Sequence, residues 1–526
     1  MPRSRIDQVF ERRISALVNS GEPAVLQGGL KGVEKESLRV TSAGALSRAP
    51  HPRALGSALT NEHITTDFSE ALIELVTPAF TTTWELLQYL LDLHQFVYRH
   101  LGDELLWATS MPCRITGDAD IPIARYGTSN VARMKSAYRE GLSLRYGSMM
   151  QAISGVHFNY SFPQRFWEVY ADVRESRSHG PEFVSASYFD LLRNYRRYGW
   201  LVLYLFGVSP AVSRSFLRGR DAGLAELGPD TLFEPYGTSL RMSDIGYRNR
   251  NQAGLSISVN SLDEYVRDLT RAIMTPYPPY QALGVSVDGH YRQLNANILQ
   301  IENEYYSYIR PKRVARSGER PTKALRRAGV EYVEVRALDV SAFDPVGVNQ
   351  HKLRFLEAFV TLCLLKQSEP IDASLESALD RNHLLVARRG REPGLELERD
   401  GRAVSMVSWA EELLDSMSGI AELLDRGDPA KPYQLSLATQ AAKVRDARLT
   451  PSARLLAELQ SGQGFFDLAL RMSALHKAYF LDLYAPNAER QAELAAEAVE
   501  SLEKQRAIEA AQTSSFEQYL ADYFAD

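Results

Sequence analysis

SGVHFNYSF, residues 154–162, alternates apolar and polar side chains at successive positions. One parity holds Val156, Phe158 and Tyr160, and the other holds His157, Asn159 and Ser161. Residues two apart on a strand point to the same face of a sheet. The segment is therefore predicted to be a β-strand with one apolar face and one polar face. Such strands occur in antiparallel sheets that helices cover on one side only.

Charged side chains occur at the same spacing in three further segments. They are VEKESLRV (33–40) with Glu34 and Glu36, EALIELVTP (70–78) with Glu74, and VEYVEVRALD (330–339) with Glu334 and Arg336. GLSISVN (254–260) also alternates apolar and polar positions and is predicted to be another strand. Several strands can therefore direct carboxylates into one shared cavity.

Carboxylates that share a cavity repel one another unless a cation lies between them. Oxygen-rich clusters of this kind suit Mg²⁺ or Mn²⁺. A carboxylate that holds a metal beside a guanidinium, as Glu334 and Arg336 are spaced to do, suits a phosphoryl group in transfer. An isolated pair such as Glu34 and Glu36 is usually solvent-exposed, but its recurrence across four segments favours a site. The leading interpretation is an ATP-dependent enzyme.

The common nucleotide-binding signatures are missing from the sequence. It contains no GxxxxGK[ST] loop, no GxGxxG after a predicted strand and no kinase-type catalytic loop. An ATP site would therefore have to be built from sheet residues and metal ions.

Helical periodicity fills the chain between and after these strands. It is clearest at residues 82–101, 185–205 and 261–274. Ser261 is predicted to be the N-cap of the last of these, with Glu264 at the capping-box position. After about residue 344 the pattern is almost entirely helical. We therefore predict an α+β fold, with a catalytic sheet region at residues 1–345 and a helical region at 346–526 packed on it in one compact unit.

Composition excludes several classes of protein. The chain has 526 residues and a net charge of −5, which argues against bulk affinity for nucleic acid. Its two cysteines, Cys113 and Cys363, rule out a disulfide framework and disfavour thiolate-rich metal sites. The first residues lack the apolar core of a signal peptide, and the most apolar run, residues 200–212, is too short to cross a bilayer. We expect a cytoplasmic protein with no membrane partner.

The segment at residues 310–327 holds eight basic residues and one acid. It could neutralise polyphosphate, or it could be a nucleic-acid patch or a solvated loop. Glu302 and Glu304 directly upstream favour the first reading.

Nine segments together closely resemble the proteobacterial family of glutamate–cysteine ligases (γ-glutamylcysteine synthetases). They are VEKESLRV (33–40), TTDFSEALIELVTP (65–78), YGTSN (126–130), YREGL (138–142), ISGVHFNYSFP (153–163), NYRRYGW (194–200), TSLRMSDIGY (238–247), LQIENEYYSYIRPKR (299–313) and YVEVRALD (332–339). The resemblance spans about residues 25–350 in the family's order and spacing, and the helical C-terminal third offers little motif.

The resemblance implies a fold like that of glutamine synthetase and the guanidino kinases, in which an antiparallel sheet curves into a funnel covered by helices. The implied reaction joins the γ-carboxyl of L-glutamate to the amine of L-cysteine through a γ-glutamyl phosphate. It consumes ATP, gives γ-glutamylcysteine, ADP and phosphate, and is the first step of glutathione biosynthesis. Glutathione is an expected feedback inhibitor.

The resemblance also implies residue roles. The implied metal-binding set, which would hold two or three Mg²⁺ with Mn²⁺ as a substitute, is Glu34, Glu36, Asp67, Glu74, His157 and Glu334. Arg336 is implied to stabilise phosphate and, with Glu334, to be catalytic. The implied substrate contacts are Arg241 for glutamate, Tyr138, Tyr247 and Tyr306 for cysteine, Arg139 for a substrate, and Asn159 with Arg336 for the nucleotide.

Three alternatives remain open at this stage. A ligase of the same superfamily could join glutamate to a different amine, because one side-chain pocket decides the acceptor. A non-catalytic relative could bind glutamate or nucleotide as a sensor, although it would not need the whole metal set. A nucleic-acid binder using residues 310–327 is disfavoured by the net charge.

Overall fold

The computed structural model describes residues 5–22, 24–246, 255–316 and 318–525. Its strands are β1 Leu30–Val40, β2 Ile64–Thr66, β3 Leu72–Val76, β4 Leu105–Leu106, β5 Gly155–Ser161, β6 Ala211–Ser213, β7 Ala225–Leu227, β8 Thr231–Phe233, β9 Ser286–Val287, β10 His290–Tyr291, β11 Ile309–Lys312, β12 Tyr332–Asp339, β13 Glu396–Arg399 and β14 Arg402–Ser405.

Helices make up most of the rest. They are α1 Arg5–Val18, α2 Thr83–His100, α3 Asn130–Tyr146, α4 Ser148–Gln151, α5 Gln164–Val173, α6 Pro181–Tyr198, α7 Trp200–Phe206, α8 Arg214–Leu217, α9 Leu262–Met274, α10 Pro278–Leu283, α11 Pro321–Ala328, α12 Gln350–Leu365, α13 Ala373–Arg389, α14 Met406–Leu424, α15 Pro432–Arg445, α16 Pro451–Gln460, α17 Phe465–Ala478, α18 Ala488–Ala510 and α19 Phe516–Phe524. Beyond α12, the described chain has one β-hairpin, β13–β14, which confirms the predicted helical C-terminal third.

The central sheet has seven strands within the described residues. Its order is β11-β12-β5-β1-β3-β2, and β4 pairs with the end of β1. Every neighbouring pair is antiparallel, as the alternating patterns predict. A register shift between Val335 and Leu338 marks an irregularity where β12 meets β5. The predicted α+β fold with an antiparallel sheet is confirmed.

Apolar side chains from one face of this sheet form the main core. Val33, Phe158 and Val335 are completely buried there. Helices α2, α6 and α7 contact the sheet, and α12 lies against α6, α14 and α15. The polar face, opposite these helices, is left for the site.

A buried ion pair joins the sheet to the helical region. Lys31 Nζ on β1 lies 2.8 Å from Glu357 Oε2 on α12. Tyr433 on α15 donates a hydrogen bond of 2.5 Å to the same carboxylate. The core that holds Val33 also holds Leu356 and Trp409, so it is continuous from the sheet into the C-terminal helices. The boundary proposed at residue 345 stays a prediction.

The prediction of a strand at residues 254–260 is wrong for residues 255–260, the part that the structure describes. Residues 255–260 form no strand. The backbone N–H of Ser258 donates to Asp268 Oδ2 at 3.1 Å, and its hydroxyl donates to Glu264 Oε2 at 2.5 Å. Side chains of α9 thus accept hydrogen bonds from Ser258, and its backbone N–H is not available to pair with a neighbouring strand. The predicted cap of α9 is confirmed, because Ser261 Oγ accepts from the Glu264 backbone N–H at 3.2 Å.

No helix in the described part of the chain is both long and apolar enough to span a membrane. The thiols of Cys113 and Cys363 are free, and both side chains are buried.

Candidate active site

Strand register brings the predicted acidic residues together. Glu34 on β1 pairs with His157 on β5, and Glu36 on β1 pairs with Glu74 on β3. Side chains directly opposite in an antiparallel pair lie about 4.5–5.5 Å apart at Cβ. The polar side chains of these strands therefore form one cluster on the face of the sheet opposite α2, α6 and α7.

The cluster has the spacing of a metal site. One ligand atom from each of Glu34, Glu74 and His157 lies within 4.8 Å of the others. His157 Nδ1 is 3.0 Å from Glu34 Oε2, and its Nε2 is 4.0 Å from Glu36 Oε1. Carboxylate and imidazole donors in this arrangement fit a divalent cation such as Mg²⁺ or Mn²⁺.

Burial and mutual repulsion shift the pKa values of the groups in this cluster. Burial, reinforced by the charge of Asp67, raises the pKa of Glu36 to about 8. Burial and the neighbouring carboxylates raise the pKa of Glu74 well above its ordinary value. Burial and the charge of Arg336 lower the pKa of His157, so the imidazole is neutral, as a metal ligand must be. A divalent cation would offset the repulsion that raises the two carboxyl pKa values.

Cations line the other side of the cluster. Arg336 donates to Glu334 Oε1 at 2.9 Å, and Lys312 Nζ lies 3.6 Å from Glu334 Oε2. Burial acts to raise the pKa of Glu334, but the charges of Lys312 and Arg336 outweigh it and hold that pKa well below its ordinary value. Asn159, opposite Glu334 in the register, donates to Glu34 Oε1 at 2.9 Å. This edge of the site therefore keeps a charged carboxylate between two cations.

Arg241 lies behind the cluster and is only 1% exposed. It donates to the backbone oxygen of Arg336 at 3.0 Å and to Met242 Sδ at 3.1 Å. A Cβ at position 155 would overlap its guanidinium, so any larger residue there would have to displace Arg241. Tyr306 donates to the same sulfur at 3.5 Å.

A cavity of about 840 Å³ opens in front of the cluster. It is lined by ten residues that the sequence predicted for the site: Glu34, Glu36, Asp67, Glu74, Tyr138, Arg139, His157, Tyr306, Glu334 and Arg336. Asn159 and Arg241 lie behind this lining and reach it through their hydrogen bonds. Tyr247 lies outside the described residues. The roles assigned to all these residues stay predictions.

The basic segment at residues 310–327 contributes only part of its charge to the cavity. Arg310 and Lys312 line it. Arg320 is paired with Glu302 at 3.2 Å, and Arg327 is paired with Glu319 at 2.8 Å. Much of the segment is therefore neutralised by the protein itself.

Sequence reasoning missed several parts of the cavity wall, among them one on α3 and one on α19. Met134 and Lys135 lie on α3, one turn before Tyr138 and Arg139, and helical spacing from those two residues could have found them. Tyr519 and Tyr523, four residues apart on α19, close the cavity from the far end of the chain. No motif in the C-terminal third identified them.

Magnesium is expected to stabilise the protein without any substrate. At 100 times its Kd it would add about 2.7 kcal/mol to the free energy of unfolding, because it offsets carboxylate repulsion. Glu74→Gln should weaken this Mg²⁺ affinity by about 10- to 100-fold. Thermal unfolding during Mg²⁺ titration measures both the gain in stability and the Mg²⁺ affinity. Glu62→Gln, at a carboxylate that is 73% exposed outside the cavity, is the matched control. Equal Mg²⁺ affinity in Glu74→Gln and wild type would contradict the site.

A polar cavity on an antiparallel sheet, with carboxylates against guanidinium groups, is typical of an enzyme that acts on anionic substrates. The family model for glutamate–cysteine ligase matches residues 14–386. A glutamate–cysteine ligase of Alcanivorax borkumensis is 50% identical over 98% of this chain and 99% of its own length. The chain belongs to the glutamate–cysteine ligase family and is an enzyme of the ligase class.

Solved structures agree with this assignment. A crystal structure of glutamate–cysteine ligase from Francisella tularensis in complex with AMP has a TM-score of 0.89 and 37% identity. The match covers 95% of this chain and 98% of that chain. A bifunctional glutathione synthetase from Pasteurella multocida, at 23% identity and a TM-score of 0.71, shares the fold.

Proposed function

We propose that this enzyme joins the γ-carboxyl of L-glutamate to the amine of L-cysteine, with cleavage of ATP to ADP and phosphate. The product would be γ-glutamylcysteine, so the reaction would be the first step of glutathione biosynthesis. The observation that carries the proposal is the cluster of Glu34, Glu74 and His157 beside the Glu334–Arg336 ion pair in one cavity. Family membership and the AMP bound to the Francisella tularensis relative support it.

The chemistry requires both kinds of charge in that cavity. A carboxylate is a poor electrophile, since it cannot expel oxide. Transfer of the γ-phosphoryl group of ATP to the glutamate γ-carboxylate gives an acyl phosphate with a good leaving group. The neutral amine of cysteine then attacks the acyl carbon, and the tetrahedral adduct gives up one amine proton to solvent and expels phosphate to leave the amide. Both partners of the first step are anionic, so cations must reduce their repulsion.

Different residues would bind the metal ions, stabilise the phosphoryl group and contact the nucleotide. Glu34, Glu36, Asp67, Glu74, His157 and Glu334 would hold two or three Mg²⁺, or Mn²⁺ in its place, and these ions would offset charge on the phosphates. Arg336, already oriented by its 2.9 Å bond to Glu334, would stabilise the phosphoryl group in transfer. Asn159 and Arg336 would contact the nucleotide.

The amino-acid substrates would lie on the other side of the metal set. Arg241 would recognise glutamate from its buried position against Gly155. Tyr138 and Tyr306 would wall the cysteine pocket together with Tyr247, and Arg139 would contact a substrate. Glutathione would act as feedback inhibitor, and we expect the enzyme to work in the cytoplasm.

The deciding experiment incubates purified protein with ATP, Mg²⁺ and L-glutamate, with and without L-cysteine. Phosphate release and product mass are measured together. Cysteine-dependent phosphate and the mass of γ-glutamylcysteine are expected. Parallel reactions with 2-aminobutyrate and L-alanine test the alternative acceptor. Faster turnover with one of these than with cysteine would change the substrate, and no ATP cleavage with any amine would refute the proposal.

A further inference from the structure

Among the described residues, five lysine and arginine side chains line the cavity, and four of them have oxygen partners. Arg139 donates to the backbone oxygens of Asp67 and Lys135. Arg310 donates to the backbone oxygens of Asn303 and Tyr305. Lys312 and Arg336 are both paired with Glu334. Their charges are therefore held in fixed positions by the protein. The fifth is Lys135.

Lys135 differs from the others in what surrounds its ammonium group. Within the described residues its ammonium makes no hydrogen bond and no ion pair. Its Nζ lies 5.0 Å from the centre of the Tyr126 ring, and Arg139 stacks on the same ring at 4.7 Å. The side chain is half-buried and lines the cavity. Its ammonium is thus held in the cavity with no acceptor from the part of the protein that the structure describes.

The energetics favour an anion beside this group. Removing an ammonium from bulk water without an acceptor is costly, and a charge-assisted hydrogen bond recovers that cost. Burial, and then the charge of Arg139, lower the pKa of Lys135 to about 8, while Glu74 acts in the opposite direction. An anionic oxygen at Nζ would favour the protonated form.

We propose that Lys135 binds an anionic oxygen of a substrate, either a carboxylate of an amino acid or a phosphate of the nucleotide. The inference rests on the proposed function, since that function brings both kinds of anion into this cavity. Its position on α3, one turn from Arg139, places it in the lining of the same cavity as the Glu334–Arg336 pair. Substrate anions would then have a cation from α3 as well as Arg336 to bind.

The test compares wild type with Lys135→Met and Lys135→Gln in steady-state kinetics. Cysteamine keeps the thiol and amine of cysteine but lacks its carboxylate. If Lys135 binds the acceptor carboxylate, KM for L-cysteine rises about tenfold or more and KM for cysteamine does not change. If Lys135 binds L-glutamate, KM for L-glutamate rises instead. If it binds the nucleotide, KM for ATP rises instead. Calorimetric binding of ATP with Mg²⁺ gives a readout that is independent of turnover.

Two further variants keep the result interpretable. Lys135→Arg retains the charge and should restore most of the affinity. Arg125→Met removes an exposed positive charge beside Tyr126 without changing the cavity lining, and it should behave as wild type. Unchanged KM values for all substrates in both neutral variants would overturn the inference. A wild type that forms no γ-glutamylcysteine would instead count against the proposed function.

Discussion

Glu334→Gln is expected to reduce turnover by about 10²- to 10³-fold, the effect of removing one preorganised electrostatic contact at a reacting centre. The carboxylate is buried, it is held ionised by Lys312 and Arg336, and it belongs to the proposed metal set. A neutral amide would lose a metal ligand and release Arg336 from its 2.9 Å bond. Cysteine-dependent phosphate release at saturating Mg²⁺ measures the effect, and thermal unfolding checks the fold.

The matched control is Glu331→Gln, at the residue that precedes β12. Glu331 lies outside the cavity, 42% exposed, with Arg313 at 3.4 Å. Surface pairs of this kind contribute about 0–1 kcal/mol, so its activity should stay near wild type. Near-normal turnover in Glu334→Gln at saturating Mg²⁺ would refute its assignment as a catalytic and metal-binding residue.

Gly155→Ala is expected to impair glutamate use more than any other single-methyl change in the sheet. The added Cβ would overlap the guanidinium of Arg241, which is buried and would have to shift. Overpacking of this kind costs about 1–3 kcal/mol. Because Arg241 is the proposed glutamate contact, we expect KM for L-glutamate to rise by about tenfold or more. Glutamate saturation curves measure it at fixed ATP and cysteine.

Gly32→Ala provides a control in the adjacent strand. Its Cβ would meet the backbone oxygen of Pro78 at 3.6 Å and the Thr77 hydroxyl at 3.7 Å, which are ordinary contacts. Both variants add one methyl group to a sheet glycine, and only position 155 adjoins Arg241. If both raised KM for glutamate equally, the effect would come from the sheet and not from Arg241.

Alternation in the sequence was sufficient to predict the polar face but not the pairing of strands. His157 and Glu334 were assigned to one cavity because each lies on the polar parity of its own segment. That Glu34 faces His157, and Glu36 faces Glu74, depends on register. Register is fixed by packing across strands distant in sequence, and a single strand does not encode it. The same limit explains the wrong strand at residues 255–260, where α9 competed for the hydrogen bonds.

The C-terminal wall of the cavity could not have been predicted. Tyr519 and Tyr523 lie on a short amphipathic helix whose pattern shows only that one face is buried. Which surface covers that face is decided by contacts such as Asn130 Nδ2 to the Ser514 backbone oxygen, at 2.9 Å. A long-range contact of that kind produces no periodic pattern in the sequence.

The placement of Tyr519 and Tyr523 on the cavity wall also affects how the protein is made. Glu34 leaves the ribosome near the start of synthesis, whereas Tyr523 follows almost the whole chain later. At bacterial elongation rates that interval is on the order of half a minute to a minute and a half. The carboxylate cluster is complete once Glu334 has been made, but its cavity lacks one wall until α19 follows. A chain truncated before α19 should therefore keep the sheet and have a more open cavity.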